Sequence, residues 1–93
     1  MIGLLDLTFR LYGIYSLKDK RSFVKPLLSI LRNNFNCAAI ESDAQNSHEF
    51  AVIQVVTLNT SGPELDSTLE AIIRTVENKS GTDFEVTRRE VFS

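Results

Sequence analysis

Apolar and polar positions alternate from Leu4 onward: Leu5, Leu7, Phe9 and Leu11 fall on one side, Leu4, Asp6, Thr8 and Arg10 on the other. A period of two marks a strand with one face buried, so Ile2–Leu11 reads as the first strand. Gly13 breaks the pattern, and a helical period replaces it. Leu17, Phe23, Val24, Leu27, Leu28, Leu31 and Phe35 form one stripe, opened by Ser16 as an N-cap with Asp19 three residues on. Pro26 lies inside this helix and removes one backbone bond to Ser22, which predicts a bend there.

Asn33-Asn34 stops the helix, and Cys37–Glu41 is extended enough for a second strand, followed by polar turn material from Ser42 to Ser47. Phe50–Leu58 is rich in β-branched residues and apolar on both alternating sets, the pattern of a strand in the middle of a sheet. Ser61, Pro63 and Glu64 open a second helix whose stripe is Leu65, Leu69, Ile72, Ile73 and Val76, and Lys79-Ser80-Gly81 closes it. In the last strand, Phe84–Phe92, the apolar positions switch parity between Val86 and Val91, so the inward set is ambiguous and a β-bulge is expected. The order strand, helix, strand, strand, helix, strand predicts an α+β, ferredoxin-like βαββαβ sandwich. It has a four-stranded antiparallel sheet with two helices on one face, as a single domain over residues 1–93.

Composition narrows the class. With 93 residues, 43% hydrophobic and 24% charged, the chain is neither disordered nor fibrous. No apolar run approaches the roughly 20 residues of a membrane span. One cysteine cannot staple a fold or make a zinc site, which predicts a soluble protein of a reducing, cytoplasmic compartment. The net charge of -2 hides a split. Residues 1–37 set Arg10, Lys18, Lys20, Arg21, Lys25 and Arg32 against Asp6 and Asp19, whereas ten acids outnumber four cations in residues 38–93. This balance argues against a globally basic nucleic-acid protein and leaves a local basic patch open.

The segment Ser16-Leu17-Lys18-Asp19-Lys20-Arg21 at a helix start, with Phe35-Asn36, Glu41-Ser42-Asp43 and Ala51-Val52-Ile53, resembles the YlxP-like family of small bacterial proteins over essentially the whole chain. The resemblance implies a ferredoxin-like fold, a bacterial cytoplasmic setting and no established activity. Members are commonly encoded near translation-initiation and ribosome-maturation genes, which implies a link to RNA or the ribosome. The family often carries a tryptophan in the hairpin between strands two and three. This chain has no tryptophan and reads Gln45-Asn46-Ser47-His48 there, so a partner contact made by that ring is absent or altered.

Three sets of residues are candidates for function. Lys18, Arg21 and Lys25 share one helical face with Lys20 adjacent, a patch suited to phosphate oxygens. Its bland reading is a solvated face, with Arg21 free to pair with Glu41. Glu41, Asp43, His48 and Glu49 in the hairpin offer carboxylates and the single histidine for acid–base or metal chemistry, but a short polar turn is more simply solvated. Nothing in the pattern names a catalytic residue, a metal ligand set or a cofactor: Walker, dinucleotide, zincin and nucleophile-elbow motifs are absent. Cys37 reads as a small buried hydrophobe. If Leu7, Phe9, Ile53 and Val55 point at the helices, then Leu4, Thr8, Phe50, Val52, Val56 and Leu58 point away. That face has one edge aromatic, Phe50, which argues against base stacking on the sheet and for a second copy or another protein partner. The leading expectation is a non-enzymatic module that self-associates through Phe50, Val52, Val56 and Leu58 and offers Lys18, Lys20, Arg21 and Lys25 to RNA. The competing ones are a small enzyme or metal-binding protein using the Glu41–Glu49 hairpin, and a purely structural interaction protein.

Overall fold

The computed structural model describes residues 1–93. The elements run β1 (Ile2–Arg10), α1 (Leu17–Asn34), β2 (Cys37–Asp43), β3 (Phe50–Leu58), α2 (Gly62–Ser80) and β4 (Phe84–Phe92). They form one antiparallel sheet of order β2-β3-β1-β4, the ferredoxin-like arrangement that the pattern predicts. The strand that is apolar on both sets, β3, lies inside the sheet, where both its neighbours satisfy its backbone.

Alternation in β1 and β3 decides which face is buried. Leu5, Leu7, Phe9, Ala51, Ile53 and Val55 are fully buried and join Val24, Leu27, Leu31, Leu69, Ile72 and Val76 of the helices in one core. Phe9 anchors it, stacking on Phe84 at 5.2 Å between centroids and meeting Phe23 edge-on at 5.6 Å. Gly3 is buried for a different reason: a Cβ there would come within 3.1 Å of the Leu65 and Leu69 methyl groups, so β1 passes close under α2 and any side chain would have to push these leucines aside.

Local signals set the helix ends. Ser16 Oγ accepts from the Asp19 backbone N–H at 3.0 Å, and Ser61 Oγ from that of Glu64 at 3.4 Å. Asp19 answers not to the cap residue but one place earlier, at Tyr15 N–H. Gly81 ends α2 in the left-handed region at φ 65°. α1 continues through Pro26, an exposed position on the solvent side of the helix.

The last strand contains the bulge that its parity switch predicts. Asp6 pairs with Arg88 but Leu7 with Val86, leaving Thr87 as the extra residue, its hydroxyl bonded to Asp6 O and to the Thr8 hydroxyl. The ambiguity of β4 is thereby removed. Paired residues share a face, so Phe84, Val86, Arg89 and Val91 turn toward the helices while Glu85, Arg88, Glu90 and Phe92 turn away. Arg89 bears this out by pairing with Glu70 and Asp66 of α2. A second irregularity, between Glu41 and Asp43, lets β2 run two residues further than expected, into the segment read as turn.

Candidate interaction surfaces

The basic cluster at the start of α1 is smaller than its sequence suggests. Lys18, Arg21 and Lys25 are exposed and enter none of the chain's ion pairs. Lys20 does not belong with them. It is 2% exposed, and its Nζ lies 2.8 Å from Glu41 Oε2 and donates to the Ala44 carbonyl. The spacing of Lys20, Val24, Leu27 and Leu31 explains this, since four and three residue steps put Lys20 on the apolar stripe, one turn before Val24. The partner of Glu41 is therefore Lys20 and not Arg21, whose side chain is left to solvent.

That ion pair also disposes of the hairpin as a convergent set. Glu41 turns under the sheet toward α1. Asp43 caps the Ala44 N–H at 2.7 Å, and His48 and Glu49 stand exposed at the far side of the turn. No three histidine, cysteine or carboxylate side chains gather at metal-binding distance. Ala44 adopts φ 57°, an uncommon conformation for a residue with a Cβ. Its carbonyl is the one Lys20 holds, so the buried cation fixes the turn that joins β2 to β3. Cys37 is half-buried, its thiol directed to the Leu31 carbonyl at 3.4 Å. Burial raises its pKa, against a smaller lowering by Arg32.

On the outer side of the sheet, cross-strand register builds the surface row by row. Leu58, Ile2 and Phe92 lie abreast at one end, followed by Ala38, Val56 and Leu4 with Glu90. Ile40, Gln54, Asp6 and Arg88 cross the middle; Asp43, Val52, Thr8 and Glu85 come next, and Phe50 beside Arg10 closes the far end. Leu58 is 64% and Ile40 52% exposed, with Ile2, Phe50 and Phe92 also exposed and Leu4, Val52 and Val56 half-buried by their neighbours alone. The face is apolar at its ends and polar across the middle. Two of its polar pairs are partnered: Gln54 donates to Asp6 at 2.9 Å, and Arg88 to Glu90 at 2.8 Å. The bond from Arg88 holds the Glu90 carboxyl below its ordinary pKa and raises that of the guanidinium.

Beyond the Phe50 end, the six-residue loop between β1 and α1 carries two tyrosines that the sequence reading passed over. Tyr12 and Tyr15 are 65% and 83% exposed, and Arg10 sits over the Tyr12 ring at 5.7 Å from its centroid. They interrupt no motif and fall outside every periodic stripe, so the only sequence signal was an aromatic pair in a glycine-bearing loop.

No helix of the chain is long and apolar enough to cross a membrane. The family model described as "Protein of unknown function (DUF503)" matches residues 2–91. The chain is also 24% identical over 92 residues to "Uncharacterized protein YlxP" of Bacillus subtilis (strain 168), an alignment spanning 99% of this chain and 100% of that protein. The family match spans nearly the whole chain, and the chain belongs to the DUF503 family of proteins of unknown function.

Proposed function

We propose that this protein is a non-enzymatic cytoplasmic module that acts through two surfaces, the principal one being the open sheet face, which docks a second copy. The supporting observation is the pair of uncovered apolar patches at the two ends of this face, Leu58, Ile2, Phe92, Val56 and Leu4 at one and Val52 and Phe50 at the other. Apolar patches left uncovered on one side of a small protein favour association. Strands about 4.8 Å apart, three of nine residues and one of seven at about 3.3 Å each, give a plan area of about 540 Å². Two such faces bury about 1,100 Å², just above the roughly 1,000 Å² expected of a specific interface. The pairing of Asp6 with Gln54 and of Glu90 with Arg88 means that closing the face leaves these groups with partners, so desolvation is partly offset. The same side of the sheet meets itself in a two-fold dimer, which needs no separate complementary patch. Light scattering on the wild type and on Val52→Lys with Val56→Lys tests this. The wild type is expected as a dimer at micromolar concentration and the variant as a folded monomer; a wild-type monomer over that range removes the reading.

A second surface is favoured by one specific observation, the unpaired and exposed Lys18, Arg21 and Lys25 on one face of α1. We read it as a contact for RNA phosphates, in free RNA or on the ribosome. Three neutralised phosphates correspond to a log–log salt slope of about −2 on a single strand. Lys18→Glu with Lys25→Glu is expected to abolish such binding, and wild-type protein that binds no RNA at low ionic strength returns the three cations to a solvated face.

A further inference from the structure

We propose that the loop between β1 and α1 is a stacking platform for single-stranded nucleic acid, with Tyr12 and Tyr15 receiving the bases. The proposal rests on the phosphate-binding reading of α1 and names the form of polyanion that face takes. Tyr15 and Tyr12 are the two most exposed large hydrophobic side chains of the chain. Neither hydroxyl is engaged in a hydrogen bond that would hold the ring for a structural purpose. Gly13 between them has φ 71°, and a Cβ there would meet nothing within 4 Å, while Leu11 and Ile14 anchor the loop to the core, so a fixed loop presents the two rings to solvent.

Charge is distributed around these rings as a strand requires. Arg10 is stacked over Tyr12 and enters no ion pair, and Lys18 and Arg21 follow Tyr15 in the first turns of α1. On the other side, Tyr12, Arg10 and Phe50 border an open cleft of about 560 Å³ whose far wall carries Asp83 and Glu85. Those carboxylates repel phosphate, and Asp19 weakens the field of the first turn. The backbone of a bound strand is therefore steered to the α1 side, along Lys18, Arg21 and Lys25, and its bases fall on the tyrosines rather than in the cleft, which opens on the sheet face. A duplex cannot use this arrangement, because its bases are already stacked on each other. A flexible strand can, since every base has a face to offer to an aromatic ring.

The chain has two tyrosines and no tryptophan, so its intrinsic fluorescence comes from Tyr12 and Tyr15 alone and reports stacking directly. The experiment titrates the protein with mixed-sequence single strands of about 12 nucleotides, within the site sizes known for such surfaces. RNA and DNA versions and the corresponding duplex are compared, following both the anisotropy of an end-labelled strand and the tyrosine emission with unlabelled strand. Saturable quenching by RNA or DNA single strands, coincident with the anisotropy change and absent with duplex, supports the platform, and the tighter strand identifies its source. Tyr12→Ala with Tyr15→Ala is expected to weaken binding about tenfold, whereas Tyr12→Phe with Tyr15→Phe retains it; both pairs lie on an exposed loop and leave the core intact. Salt-sensitive binding without quenching, unchanged in the alanine pair, overturns the platform and leaves the α1 reading standing. No binding by anisotropy overturns both.

Discussion

Lys20 shows how one residue can belong to two patterns. In the sequence it sits in a run of cations, and the run suggests a solvated basic face. In the fold it follows the stripe of Val24, Leu27 and Leu31 into the interior and meets Glu41. Counting the spacing from Val24 backward would have found it; counting charges could not. Removing one partner of a buried pair strands the other, and Glu41 retains some solvent, so Lys20→Ala is expected to destabilise by about 2–4 kcal/mol. That corresponds to a drop in Tm of roughly 10–25 °C for a domain of this size. Lys18→Ala, on the exposed face, is expected to change stability by less than about 0.5 kcal/mol. Thermal denaturation of the two variants side by side checks the distinction, and equal effects would contradict it. Cys37 makes a second residue-scale test. Burial disfavours its thiolate, so alkylation at pH 8 should run slower in the native protein than in the guanidinium-unfolded chain. Equal rates would mean an accessible thiol with an ordinary pKa.

Among the elements, most of the architecture was legible because each carries its own period, cap and stop signal. Ser16, Ser61 and Gly81 mark helix ends that the structure reproduces, and Phe50–Leu58 matches its strand to the residue. The bulge in β4 was legible too, as a change of parity, although the sequence could not say which half faced inward. Cross-strand pairing decides that, and pairing is not local. The close approach of Gly3 to α2 was illegible for the same reason, since a glycine in a strand looks alike whether a helix lies over it or not. Gly3→Val is expected to force apart β1 and the Leu65–Leu69 turn, lowering stability by about 1–3 kcal/mol in chemical denaturation. A neutral effect would mean that α2 yields at this point. The aromatic loop was missed because exposure, not periodicity, distinguishes Tyr12 and Tyr15, and exposure appears only in three dimensions.

At the scale of the molecule, the helices cover one side of the sheet and leave the other to be covered or wetted. α1 presents cations, α2 is predominantly acidic, and the open face is apolar at its ends, with Asp6 bonded to Gln54 and Arg88 to Glu90 between them. This division of labour separates association from phosphate contact, so lysines at Val52 and Val56 should disrupt the dimer without removing the charge of α1. The most direct test of the open-face dimer localises the contact on the protein itself. Methyl resonances are followed by NMR as the protein is diluted from millimolar to low micromolar concentration. The account predicts concentration-dependent shifts at Ile2, Leu4, Val52, Val56 and Leu58, with Leu5, Leu7, Ile53 and Val55 unmoved beneath the helices. Resonances that do not move on dilution, or shifts confined to the helical side, would contradict it.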